Sequence, residues 1–169
     1  MPLLSSLFGR DRDALARYVR THLAGSNAGV RLFAHSGRRQ QDPEIGDVVR
    51  EIGEQLVEER DYLQHLADRL GPGENVVLST VASLGEKASR LKPHGSLGGR
   101  TVVTDLTDLE TMRIALSGKL AGWDALLAVA DDHEELDRAV LERYRDQAVL
   151  QRQRIADAHR LLARRALRP

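Results

Sequence analysis

Apolar residues along this chain return at alternating spacings of about four and three positions, the period of helices that bury one face against each other. The cleanest stripe is Ile45, Val49, Ile52, Leu56, Glu59, Leu63, Leu66, Leu70, unbroken except that a glutamate stands at an inner position. Earlier in the chain, Leu15, Val19, His22, Ser26, Gly29, Phe33 is apolar at both ends and carries a histidine and two small residues between. Two later stripes read Leu109, Met112, Leu116, Leu120, Trp123, Leu127 and Val140, Tyr144, Ala148, Ile155, Leu162, the last interrupted by Gln147 and Gln151. No stretch alternates cleanly over the length of a strand.

Punctuation between the stripes sets the element ends. Residues 1–10 read as an N-terminal arm and 11–169 as a single domain. The first helix is expected to start at Asp11 or Asp13 and to stop at Ser36-Gly37, where glycine permits a left-handed cap. Asp42-Pro43-Glu44 is a strong start for the second helix, and Leu70-Gly71-Pro72 a strong stop. Residues 71–105 form a long connection, with a shorter helix expected over Asn75–Leu91 followed by the Pro93–Arg100 glycine loop. That loop lacks the spacing and flanking strand of a phosphate motif and reads as a connector. The third helix is expected from about Leu106, on the capping box Thr107-Asp-Leu-Glu110, to Ala130. The fourth is expected from a turn at Asp131–Glu135 to about Leu167. Two helical hairpins joined by one long crossover make an all-α, four-helix bundle of the ferritin-like plan.

Composition narrows the function classes. The 25 basic residues balance 25 acidic ones, which disfavours nucleic acid as a partner. Cysteine is absent, so disulfides, thiol nucleophiles and thiolate metal sites are excluded. The basic residues are arginines apart from Lys87, Lys92 and Lys119, and with the many alanines this suggests a bacterial genome rich in GC. The N-terminal Met-Pro-Leu-Leu-Ser-Ser-Leu-Phe-Gly is too short and too poor in basic residues for a signal peptide, and no membrane span is expected. A cytoplasmic protein follows as the expectation.

The candidate site lies mid-bundle. Counting outward from a turn centred at residue 40 sets His22 level with Glu58 and Glu59. Counting from a turn at residue 133 brings Gln151, Arg113 and Arg154 to a similar height. The leading reading is a buried polar network of His22, Glu58, Glu59, Arg113, Gln151 and Arg154, because a buried carboxylate needs a partner. The second is a metal site on His22, Glu58 and Glu59 that would take iron, manganese or zinc. An intact di-iron centre needs Glu-x-x-His on two helices, a pattern absent from this chain. No metal or other cofactor is therefore expected. The third reading is a small-molecule pocket, for which Gly25, Ser26 and Gly29 leave space beside His22. No catalytic residues are assigned: the remaining histidines share no ligand spacing, and no Ser-His-Asp pattern can be placed.

The layout resembles the ferritin-like superfamily over most of residues 11–167. More narrowly, Thr21-His-Leu-Ala-Gly-Ser-Asn-Ala-Gly-Val30, Glu58-Glu-Arg60 and Leu84-Gly-Glu-Lys-Ala-Ser-Arg-Leu-Lys-Pro-His-Gly-Ser-Leu97 are similar to an uncharacterised family of small helical bacterial proteins. The ferritin resemblance implies iron storage or oxygen chemistry, which the missing ligands oppose. The narrower one implies no activity, and a non-enzymatic structural or interaction protein is the leading expectation. The fourth helix is acidic at its start and basic at its end, which complements the helix dipole. The same polarity suits an antiparallel homodimer, or an unknown protein partner for the arginine-rich end.

Overall fold

The computed structural model describes residues 3–71 and 100–168. Among these the secondary structure is helical throughout: α1 (Leu3–Gly37), α2 (Pro43–Leu70), α3 (Val102–Ala128), a 3-10 turn (Ala130–Asp132) and α4 (Arg138–Ala166). The helix expected over Asn75–Leu91 and most of the glycine loop after it lie outside the described residues.

The hairpin ends follow local chemistry. Asp42 caps α2 by accepting from the backbone N–H groups of Glu44 and Ile45, with Pro43 at the first helical position. Gly71 ends it at φ 73°, a conformation that favours glycine. Two starts differ from expectation. α1 begins at Leu3, so residues 3–10 continue the helix where an arm was expected. α3 begins at Val102, because Thr101 and Thr104 cap it reciprocally and Thr107–Glu110 then falls inside the helix. α4 starts on Asp137, whose carboxylate accepts from the N–H of Val140.

α1 packs along α2 and α3 along α4, with lesser contacts between α1 and α3 and between α2 and α4. Arg20, midway along α1, donates to the carbonyl of Gly71 at the end of α2. Arg100 meets the opposite end, where Gln41 donates to its carbonyl from the α1–α2 turn. The chain thus leaves α2 at one end of the bundle and enters α3 at the other, so α2 and α3 run the same way. None of the described helices is long and apolar enough to cross a membrane.

Two apolar clusters fill the interior. One gathers Leu15, Val19, Leu63, Leu66, Trp123 and Tyr144 at the end where α2 stops. The other gathers Phe33, Ile52, Leu56, Met112, Leu116 and Ile155 towards the end where α2 starts. Between them each helix contributes one layer that is not apolar. In α2 it is Glu59, between Leu56 and Leu63; in α3 Lys119, between Leu116 and Trp123; in α4 Gln151, between Ala148 and Ile155. In α1 the stretch at this height is Ala24–Gly29, small apart from Asn27.

The charged ends of α4 are partly engaged within the chain. Arg165 pairs with Asp42 and Glu44 at the start of α2, and Arg154 pairs with Glu51. The arginine end therefore meets the positive pole of α2 only through the acids that cap that pole.

Candidate functional site

Glu59 is 1% exposed and Gln151 1%, so their polar atoms need partners inside the bundle. They find them in each other and in Lys119. The Lys119 ammonium pairs with Glu59 Oε2 at 2.6 Å and also donates to Gln151 Oε1. The Gln151 amide donates to Glu59 Oε1 at 2.9 Å and to Gln55 Oε1 at 2.9 Å. Both carboxylate oxygens are occupied, and three helices are tied at one level. Burial lowers the Lys119 pKa from its ordinary value, while the Glu59 carboxylate beside it opposes that shift.

The sequence-derived site residues divide. Glu59 and Gln151 are brought together. Glu58 is exposed on the outer face of α2, one residue or about 100° round the helix from Glu59. Arg113 is exposed, and Arg154 turns to Glu51 at the surface. Their expected place in the network is corrected: each lies off the inner stripe of its helix. Lys119 is the partner that the expectation lacked. Gln55 was missed as well, one turn before Glu59 on the side of α2 that faces α4.

His22 does not bond Glu59. Its ring lies against Gly122 of α3, where a Cβ would sit 2.6 Å from Nδ1, and it packs at 4.5 Å on Tyr18. Gly122 is thus the residue that admits the imidazole between α1 and α3. The ring makes no hydrogen bond to a described residue. Its pKa is lowered from 6.5 by burial, so the neutral imidazole is the favoured form. The unfolded chain then binds more protons than the folded one as pH falls through about 6.5, and folding stability declines there. Chemical denaturation across pH 5–8 is expected to show this decline in the wild type and a shallower one in His22→Gln. An unchanged slope in the variant would exclude His22 as its source.

Beside this layer is a cavity of about 430 Å³ between α1 and α3, open to solvent along Gly25, Ala115 and Gly118. Its walls are mainly apolar or small: Ala24, Gly25, Gly29 and Phe33 from α1, and Ala115, Leu116 and Gly118 from α3. His22, Glu59, Lys119 and Trp123 also border it. A Cβ added at Gly25, Gly29 or Gly118 would meet nothing within 4 Å, so the small residues leave space here rather than permitting close helix approach.

The ferritin-like resemblance implies a metal, and the donor set does not fit one. No group of three or more His, Asp or Glu side chains converges among the described residues. Glu59, the carboxylate at the centre, already faces a cation in Lys119. A separate cluster closes the far end: Arg100 spans Asp105 and Asp108 of α3, and Ser36 donates to Asp108 at 2.9 Å. The backbone N–H of Gln41 donates to Asp105 at 3.1 Å. This clamp ties the α1–α2 turn to the start of α3 and faces no cavity lining named above. No family model, curated protein or solved structure matches the chain.

Proposed function

We propose that this chain is a ferritin-like bundle that works as a non-enzymatic binding protein for a small organic molecule, seated in the cavity between α1 and α3. The observation that carries the reading is a cavity of about 430 Å³ with apolar walls and a few buried polar groups at its border. That size and lining are those of small-molecule sites, about 300–1,000 Å³ and mostly apolar with few polar anchors. The path of the chain, with α2 and α3 running the same way, supports the ferritin-like assignment. The buried network supports a role without metal, since Lys119 supplies the charge that Glu59 needs. Catalysis finds no support, because the network's groups bond one another.

Acetophenone, a one-ring ketone smaller than the cavity, serves as the probe. A ligand bound to the folded state alone stabilises it by RT ln(1 + [L]/Kd) and so raises the unfolding midpoint as its concentration passes Kd. Acetophenone is expected to raise the midpoint of the wild type. Gly29→Leu should fill the cavity and remove that rise. The same substitution replaces a mid-helix glycine, which gains about 0.5–1 kcal/mol in helix propensity, so the unliganded variant should be no less stable than the wild type. An equal rise in both, or no rise in the wild type with either acetophenone or its hydrocarbon analogue ethylbenzene, would refute the proposal.

A further inference from the structure

The ligand-binding reading leaves the ligand's chemistry open, and the border of the cavity narrows it. Lys119 has three N–H donors. One goes to Glu59 and one to Gln151, and no other described residue accepts from it. Trp123 is 2% exposed, and its indole N–H has no acceptor among the described residues. Both residues border the cavity. A buried donor without an acceptor, such as the Trp123 N–H, is costly; the Lys119 side chain is 16% exposed, and its third N–H is left for an acceptor that enters the cavity.

Charge sets the second limit. Glu59 and Lys119 cancel, and the remaining titratable group on the wall, His22, favours its neutral form. An anionic ligand would have to approach Lys119 beside the carboxylate that already holds it. A cationic ligand would have to approach Glu59 beside the ammonium. Either would bury a net charge among apolar walls, which is unfavourable.

Resting on the ligand-binding reading, we infer that the cavity selects an uncharged molecule with an apolar body and one hydrogen-bond acceptor, a ketone or related carbonyl compound, whose oxygen accepts the third N–H of Lys119. The apolar body lies along the glycine-bearing face of α1. The acceptor sits at the mid-bundle layer, where the only ion pair bordering the cavity among the described residues is found.

The test is calorimetric titration of the full chain at pH 7.5 with four probes of matched shape: ethylbenzene, acetophenone, benzoate and benzylammonium. Acetophenone is expected to bind about tenfold more tightly than ethylbenzene, the effect of one hydrogen bond from a charged donor. Benzoate and benzylammonium are expected to bind more weakly than acetophenone. Binding of neither ethylbenzene nor acetophenone would remove the ligand-binding reading itself. Equal binding of those two would leave that reading standing and overturn the assignment of Lys119. Tightest binding by benzoate or benzylammonium would overturn the exclusion of charge. The double variant Lys119→Met/Glu59→Gln keeps a hydrogen-bonding side chain beside Gln151 and removes both charges together. It should bind acetophenone no better than ethylbenzene, with ethylbenzene affinity kept. Undiminished acetophenone preference in the folded variant would overturn the role of Lys119, and the wild-type series decides the matter if that variant does not fold.

Discussion

Lys119→Ala is expected to lose about 3–5 kcal/mol of folding stability, the cost typical of breaking a buried ion pair from one side. The reason is the partner left behind. Glu59 is 1% exposed, and without the ammonium its carboxylate keeps only the Gln151 amide as a donor among the described residues. Gln151 Oε1 loses a donor in the same step. The loss belongs to the pair and not to the lysine alone, so removing both charges should cost far less. Urea unfolding of Lys119→Met, Glu59→Gln and Lys119→Met/Glu59→Gln forms a cycle that separates the terms, with Lys119→Ala measured beside it. The double variant is expected to lie closer to the wild type than Lys119→Ala does. A loss below about 1 kcal/mol for Lys119→Ala, the range of exposed pairs, would mean that the layer is open to water.

The second large effect is at the other end of the bundle. Arg100→Ala is expected to cost at least about 3 kcal/mol, because a single guanidinium serves two buried carboxylates. Asp105 is 0% exposed, and Asp108 keeps only the Ser36 hydroxyl as a described partner. Arg100→Lys should recover part of the loss at most, since an ammonium cannot span two carboxylates with the fork of a guanidinium. The consequence is local as well as global. Arg100, Asp105 and the Gln41 backbone join α3 to the α1–α2 turn, so amide hydrogen exchange at the first turn of α3 is expected to speed up in the variant. Exchange that stays uniform along α3 would show that the clamp does not hold that end.

Much of the fold could be read from periodicity, and the site only in part. The α2 stripe from Ile45 to Leu70 is buried at every expected position, Glu59 included, because strong caps at both ends and a regular spacing leave one solution. Lys119, the cation of the polar layer, is hidden in the sequence for a physical reason. Leu120 and Lys119 are adjacent in α3, and hydrophobicity favours Leu120 as the inward residue. The positions Leu109, Met112, Leu116, Lys119, Trp123 and Leu126 keep the alternation of three and four, and Lys119 stands on that line. Leu120 is only half-buried. A lysine in a chain whose basic residues are arginine apart from Lys87, Lys92 and Lys119 is the remaining signal.

The height of His22 was misjudged by counting from the turn. Pairing across the hairpin sets Phe33 against Gly53 and Arg20 near Ala67, which puts Glu59 more than one helical turn below His22. A shift of a few residues in the assumed turn centre is enough to move the imidazole away from the carboxylate. Its neighbour, Gly122, lies on α3, and no count within the first hairpin could reach it. The small residues of α1 were visible in the sequence, yet their meaning was not: a glycine that permits close approach and one that borders a cavity look the same until the facing helix is placed.

The most direct measurement is a crystal structure determined with acetophenone present. The aromatic ring is expected between Gly29 and Ala115, with the carbonyl oxygen within hydrogen-bond distance of Lys119 Nζ and the Lys119–Glu59–Gln151 network intact. Acetophenone found only on the outer surface, or Glu59 turned from Lys119 to a bound metal ion, would contradict the proposal.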